Sequence, residues 1–329
     1  MNKVGVIGVG SFGEKRASAV KLCAKGSLFG VADENSGRAT VVANKLGVQS
    51  YSVDEILSNK EVNVIIICVP NKFHMPLTVK ALSAGKHVLC EKPLSRTIRE
   101  AEEMVKAAKQ NKRLLKTGSN HRYFGSVRKA YEIVKSGVIG DVLSFNGRIG
   151  HDGSRLKNTW FWNKELSGGG TLLDNGCHLL DIARWFMGDF NKASGITTNL
   201  YWKDCPVEDT ASGIFTTAEG KMATINSSWR QLSGYFHFEI NGTDGYITVD
   251  GRFDTHGGDN LYWQSTKGSR EINSINFGQV KPNSYVLELE EFFEDIENDI
   301  EPKPSGQDGL EVIKMIEAIY SSNALKVNL

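Results

Sequence analysis

The sequence predicts an α/β protein: an N-terminal doubly wound parallel sheet, followed by an α+β domain with a large, mostly antiparallel open sheet. Three observations carry this. Apolar and amphipathic stretches alternate through the first 120 residues in the rhythm of βαβ units. A glycine-rich turn, Gly8-x-Gly10-x-x-Gly13, joins the first apolar run to the first helical one. From Ala193 to about Ile272 the pattern becomes strand after strand, separated by turns such as AEGK and NGTDG. A chain of 329 residues with 40% hydrophobic content suits two domains. They are placed at 1–120 and 121–329, with the closing helix able to pack back on the first.

The elements follow in order. Val4 to Ile7 is a buried strand, 12–25 a helix, and Leu28 to Ala32 a second strand ending in Asp33. VNVIIICV (62–69) is a β-branched run expected of a central parallel strand covered on both faces. MPLTVKALSAG (75–85) is helical and stops at Gly85. HVLCEKP (87–93) is a strand and turn, Thr97 to Lys109 an amphipathic helix, and RLLKTGS (113–119) another strand. Beyond residue 120, helical patterns at 125–136 and 173–187 bracket a loop-like segment, 151–170. After the meander, helices over Ser284–Asn298 and Gly309–Leu325 flank the loop EPKPSGQDG.

The first turn is a candidate dinucleotide site. Gly8 allows the tight exit from the strand, Gly10 lets backbone approach a pyrophosphate, and Gly13 lets helix and strand pack closely. Ser11 and Phe12 complete the loop, and the helix N-terminus offers N–H groups and positive dipole charge. Asp33 stands about 20 residues beyond Gly13, where an acid accepts ribose hydroxyls. Its carboxylate would repel a 2′-phosphate, and Asp33-Glu34-Asn35-Ser36 supplies no cation to reverse that. Arg38 is the nearest cation and reads as a solvated helix residue. NAD is therefore favoured over NADP.

Composition excludes other classes. Lys plus Arg (39) nearly equals Asp plus Glu (38), and no basic block stands out, which argues against nucleic acid as a partner. Cysteines 23, 68, 90, 177 and 205 are scattered and form no C-x-x-C, as expected of free thiols in a reducing cytoplasm. No apolar run is long enough to span a membrane, and no signal peptide is expected.

Three further clusters carry candidate chemistry. Glu91-Lys92-Pro93 follows a strand, and ligands in open α/β sheets bind beyond the carboxyl ends of strands. Position alone leaves Lys92 open between a cleft-facing role and an ordinary surface lysine. Val69-Pro70-Asn71-Lys72-Phe73-His74 closes the central strand, so Asn71 and His74 are either cofactor contacts or turn residues. Gly168-Gly169-Gly170 leads into a helix in which Asp174 and His178 are spaced i, i+4 on one face, with Asp181 beyond. A carboxylate beside an imidazole makes a general base, while the competing reading is a helix-capping Asp and a core His. No metal site is expected: Asp174, His178 and Asp181 or Cys177 have no second ligand cluster, and nicotinamide hydride transfer needs no metal.

Together GVGSFG (8–13), VADE (31–34), CVPNKFH (68–74), AGKHVLCEKPL (84–94) and SGGGTLLDNGCHLLDIARWFMG (167–188) resemble the glucose–fructose oxidoreductase / inositol dehydrogenase / rhizopine-catabolism (Gfo/Idh/MocA) family, over essentially the whole chain. The resemblance implies a Rossmann domain, a second domain that builds dimers or tetramers, and NAD(P)-dependent oxidation of a secondary alcohol on a sugar, cyclitol or sugar nucleotide. It implies Lys92 as the active-site lysine and Asp174 and His178 as the acid–base pair, with Gly8, Gly10, Ser11, Phe12, Gly13, Asp33, Val69, Pro70, Asn71, His74, Glu91 and Lys92 around the cofactor. Arg122, Arg155, Trp160 and Asn175 are candidates for the carbohydrate or cyclitol substrate. Two rival activities remain: a redox-neutral glycosidase that retains NAD, and a non-enzymatic NAD-binding regulator.

Overall fold

The computed structural model describes residues 1–251, 259–268, 270–278 and 283–322. They form two compact units, Met1–Asn120 with Asn283–Ile313, and His121–Pro282 with Lys314–Leu329.

The first unit runs β1 (Asn2–Ile7), α1 (Ser11–Leu22), β2 (Gly26–Ala32), α2 (Ser36–Leu46), β3 (Gln49–Tyr51), α3 (Val53–Ser58), β4 (Val64–Ile67), α4 (His74–Ser83), β5 (His87–Glu91), α5 (Ile98–Asn111) and β6 (Leu115–Gly118). All six strands are parallel, in the order β3-β2-β1-β4-β5-β6. This is the doubly wound order in which ligands bind where strand order reverses, between β1 and β4. The four isoleucine and valine residues of β4 are buried on both faces. Ile65 and Ile67 pack with Leu57, Leu82, Ala101 and Met104, whereas Val64 and Ile66 pack with Ala17, Val20, Val42, Phe292 and Phe293.

Those two phenylalanines explain a difference from the sequence pattern, which left 283–313 in the second domain. Helix α9 (Ser284–Asn298) buries Leu289, Phe292 and Phe293 in the core shared by α1 and β1, so this stretch belongs to the first unit.

The second unit contains α6 (Gly125–Lys135), β7 (Val142–Asp152), α7 (Lys164–Ser167), α8 (Cys177–Met187) and β8 (Lys192–Thr198). They are followed by β9 (Thr210–Thr216), β10 (Met222–Ser228), β11 (Arg230–Gly242), β12 (Gly245–Gly251), β13 (Asn260–Ser265) and β14 (Asn273–Asn276). The sheet order is β14-β13-β12-β11-β7-β10-β9-β8, antiparallel except where β7 pairs with β10. Phe145, Phe215, Ile225, Phe236, Phe238, Ile247 and Leu261 fill its inner face, each with 1% exposure or less.

Strand β7 was not foreseen, although it lies in the middle of the sheet. Its apolar positions are interrupted by Asn146, Gly147, Gly150 and His151, which blurs the period-2 signal on which a strand is recognised. The segment read as loop, 151–170, also holds one-turn helices at Gly153–Leu156 and Trp160–Trp162, and α7. The last helix, α10, spans Gly306–Ser322, and the expected continuation over 323–325 lies outside the described residues. Among the described residues no helix is long and apolar enough to cross a membrane.

Candidate active site

The glycine loop is built from close packing behind and open space in front. Gly8 has φ +84°, and a Cβ at Gly13 would stand 1.8 Å from the Gly8 carbonyl oxygen. A Cβ at Gly10 would meet nothing within 4 Å. Gly10 is also the N-cap of α1, and no side chain caps that end among the described residues. The first-turn amides are thus presented by bare backbone, which suits an anion. Ser11 is exposed, as is Phe12, with Lys15 Nζ 5.3 Å from the Phe12 ring.

Asp33, at the end of β2, is held from two sides. Its Oδ2 accepts from the Val9 N–H at 2.8 Å and its Oδ1 from the Asn35 N–H at 2.9 Å. Arg38 Nη1 lies 3.4 Å from Asp33 Oδ2. Arg38 reads from sequence as a solvated helix residue, but α2 brings it back over the acid, partly offsetting the charge that disfavours a 2′-phosphate. Open space, bare amides and an anchored acid together fit a dinucleotide.

The turns after β4 and β5 are cross-braced. His74 was expected among the cofactor contacts, yet its ring is committed to protein carbonyls, with Nδ1 2.9 Å from the Pro93 oxygen and Nε2 2.9 Å from the Val69 oxygen. Burial lowers its pKa despite those contacts, so the neutral ring donates to one carbonyl at a time. Asn71 is buried at the same turn, where Val69 and Pro70 are half-buried. Glu91 was likewise expected at the cofactor. Its Oε1 instead accepts from Arg16 Nε, and its Oε2 from the Lys92 N–H at 3.2 Å. Arg16 is fully buried, donates through Nη1 to Glu288, and sits over the Tyr285 ring at 4.5 Å. Burial opposes the Arg16 charge, but Glu288 and Glu91 outweigh it and hold the guanidinium protonated. Lys92 therefore stands on a strand end anchored by a buried ion network rooted in α1 and α9.

In the second unit, the expected single helix over 173–187 begins with a π-helical turn, Leu172–Gly176, that passes into α8. Such turns interrupt α-helices at a stability cost and recur at functional sites. Asp174 lies within this turn. Its Oδ2 accepts from Trp229 Nε1 at 3.1 Å and lies 3.7 Å from His151 Nε2. The turn is pinned by Glu208, whose carboxylate accepts from the Gly170 N–H, the Leu172 N–H and the Tyr320 hydroxyl. Burial pushes the Glu208 pKa up against those donors. Asn175 is buried within the same turn, and its Nδ2 has no hydrogen-bond partner among the described residues.

His178 is in the first turn of α8 and its ring stacks on that of His121, with centroids 3.6 Å apart and planes at 10°. Arg122, expected from sequence as a substrate contact, is found in an ion pair. It is 3% exposed and grips Asp181 bidentately, Nε to Oδ2 at 2.7 Å and Nη2 to Oδ1 at 2.6 Å. Its guanidinium also lies 5.0 Å from the Trp185 ring. That pairing spends both carboxylate oxygens and the guanidinium fork on the protein. Arg155 is exposed on a one-turn helix, and Trp160 stacks on Phe161 at 3.9 Å. Trp229 and Glu208 were not foreseen, because contacts between residues so distant in sequence leave no local pattern. Among the described residues no group of three or more His, Cys, Asp or Glu is arranged to hold a metal ion.

The first unit carries a dinucleotide-type loop and the second a buried histidine and a carboxylate on an irregular helix start, features of a nicotinamide-dependent oxidoreductase. Residues 2–119 match the model of the oxidoreductase family with an NAD-binding Rossmann fold, and 127–248 match the GFO/IDH/MocA C-terminal domain. The chain belongs to the Gfo/Idh/MocA family. It is 28% identical to myo-inositol 2-dehydrogenase of Thermotoga maritima, covering 93% of this chain and 92% of that one. It is 31% identical to 2,7-anhydro-N-acetylneuraminate hydratase of Escherichia coli, over 76% of this chain and 68% of that one. A solved structure of levoglucosan dehydrogenase in complex with NADH and L-sorbose superposes with a TM-score of 0.89 at 25% identity, covering 98% and 96% of the two chains.

Proposed function

We propose that this protein is an NAD-dependent dehydrogenase of a secondary alcohol on a cyclic polyol, that is, a sugar, anhydrosugar or cyclitol. The observation that carries the substrate class is the π turn, where a buried amide, Asn175 Nδ2, awaits an oxygen beside Asp174 and one turn from His178. A buried donor left without a partner is costly, and a substrate hydroxyl relieves that cost. The named relatives act on molecules of this kind.

Asp33, the amides at the start of α1 and the Val69–Asn71 turn hold the dinucleotide in this reading. Bound there, it supplies the acceptor for the hydride leaving the carbinol carbon. His178 takes the proton from the hydroxyl oxygen, so carbon and oxygen together lose one hydride and one proton. Asp174, oriented by Trp229, favours the cationic form of the base electrostatically. Lys92 donates a hydrogen bond to the substrate oxygen as its negative charge grows. Asp33 makes NAD the preferred cofactor, and Arg38 at 3.4 Å leaves room for some use of NADP. The protein acts in the cytoplasm as a homodimer or homotetramer, a second copy covering the outer sheet face on which Ile214, Met222 and Tyr262 are exposed.

The test is NADH and NADPH formation in parallel across inositols, aldoses, anhydrosugars and nucleotide sugars. Turnover of one class with NAD supports the proposal. A changed sugar product with no net NADH supports a redox-neutral reaction instead, a reading favoured by the relative named as a hydratase.

A further inference from the structure

The imidazole of His121 lies flat against that of His178, 3.6 Å away and within 10° of parallel, a geometry that no sequence motif announces. His121 is held there from several sides. Phe124 tilts against it at 4.5 Å and Phe236 meets it edge-on at 5.1 Å. The next residue, Arg122, is locked bidentately to Asp181, one helical turn beyond His178 on α8. Truncating either partner of that buried pair would strand a charge, so the clamp fixes the chain at His121 relative to α8. Both histidines are 6% exposed.

We propose that His121 is a positioning residue for the histidine base: its ring is the platform that fixes the plane of the His178 imidazole, carries the cation formed on it during turnover, and shares a single proton with it. This rests on the reading of His178 as the base. A cation above a π face is stabilised. A second proton would have to enter a ring 3.6 Å from an existing charge, with little water to screen it. The pair therefore accepts one proton readily and resists a second, so His121 remains a neutral platform while His178 cycles.

The charged and titratable groups on the surrounding elements are compatible with this. Arg122 and Asp181 neutralise each other. Asp174, with His151 of β7 beside it, lies on the π turn, and Cys177 opens α8. Tyr123 is buried under Arg128. Strand β11 presents Phe236 to the pair, while Tyr235 stacks with His237 and lies under Arg148.

Two measurements on the full-length protein test the proposal. The first is an NMR titration of the seven histidine rings, assigned with His121→Phe and His178→Gln variants. The His121 and His178 signals should each show two inflections at shared pH values, and His178 should titrate as a simple one-proton group in His121→Phe. Independent one-proton curves in the wild type would overturn the proposal.

The second is kinetic. His121→Leu, which removes the flat ring, should lower kcat about tenfold with KM for NAD unchanged. His121→Phe restores a ring and should recover most of kcat, with the acid limb of the pH profile displaced. Equal losses in the two variants with an unmoved acid limb would mean that His121 only fills space. The base assignment is judged separately: if His178→Ala keeps its turnover, that reading fails while the NMR coupling stands. If His178→Ala is inactive but both His121 variants match wild type, the proposal alone fails.

Discussion

The two units each bury an arginine against a carboxylate and an aromatic ring, next to a residue proposed for catalysis, yet they are assembled in opposite ways. In the first, Arg16 follows the glycine loop in α1 and reaches Glu91, immediately before Lys92, and Glu288 of α9. In the second, Arg122 immediately follows His121 and reaches Asp181, one turn beyond His178. The Arg16 cluster carries two carboxylates on one guanidinium, and the buried Lys116 also acts on Glu288. The Arg122 pair is one to one, with all four hydrogen-bonding atoms of its fork matched. The first network supports a strand end whose proposed role rests on adjacent residues, Glu91-Lys92-Pro93. The second creates its local environment, because the stacked His121 arrives from 57 positions earlier in the chain.

The largest expected effect breaks this comparison at its chemical end. His178→Ala should reduce kcat by about a thousandfold, the usual range for loss of a general base, while the affinity for NAD measured by fluorescence titration stays within a few-fold. Lys92→Met should cost kcat about a hundredfold and also spare NAD binding, since a donor to a developing oxyanion acts in the transition state. If either substitution weakens NAD binding while sparing kcat, its role is structural and the symmetry between the two arginine clusters loses its catalytic meaning.

The arginines themselves give the next effects, read as stability. Arg122→Met removes the bidentate cation from the buried Asp181, and should cost about 3–5 kcal/mol by chemical denaturation. Arg16→Met leaves two carboxylates together, and the cost should depend on pH. Glu288 already has a pKa raised above the ordinary value by burial, with Arg16 pulling it down. Without Arg16 that pKa rises further, so the folded variant binds a proton that the unfolded chain releases. Its stability should then fall as pH rises above the ordinary carboxylate range, more steeply than in wild type. A pH-independent penalty in Arg16→Met would show that the two carboxylates are screened and that the two clusters are equivalent.

This contrast also explains what could be read from the sequence. The parallel βαβ character of the first sheet and its cofactor loop follow from residues close together, because Gly8, Gly10, Gly13 and Asp33 each answer a local backbone or charge requirement. Asp174 and His178 could be singled out by helical spacing, but the π turn at 172–176 could not, since Glu208 and Tyr320 hold it from distant positions. The protein partners of Arg122 and His74 were hidden for the same reason. A polar side chain near a cleft-forming turn looks available until its partner is known, and Asp181, Val69 and Pro93 are not identifiable as those partners from spacing. Strand β7 was lost because glycines and polar residues are tolerated in a strand flanked on both edges.

The smallest effect concerns a histidine that serves only the first unit's frame, and it isolates the general acid sensitivity of that frame from the chemistry of His178. His87, at the start of β5, accepts the Leu114 N–H on Nδ1 at 3.1 Å. That bond requires the ring nitrogen to be unprotonated. Burial, together with the nearby Arg113 charge, lowers the pKa to about 4, against an ordinary 6.5. Its folded pKa is depressed, so between those values the unfolded chain binds the proton and the folded chain does not. Stability conferred by neutral His87 is complete above pH 6.5 and is lost as pH falls toward 4. Replacing His87 with Asn keeps an acceptor without a titrating group, and should flatten the denaturation midpoint over that interval. If the wild-type midpoint is already flat from pH 6.5 to 4, the Leu114 contact does not hold the ring neutral. If it is steep and remains so in His87→Asn, the acid sensitivity belongs to other groups, among them His74, whose pKa burial also lowers.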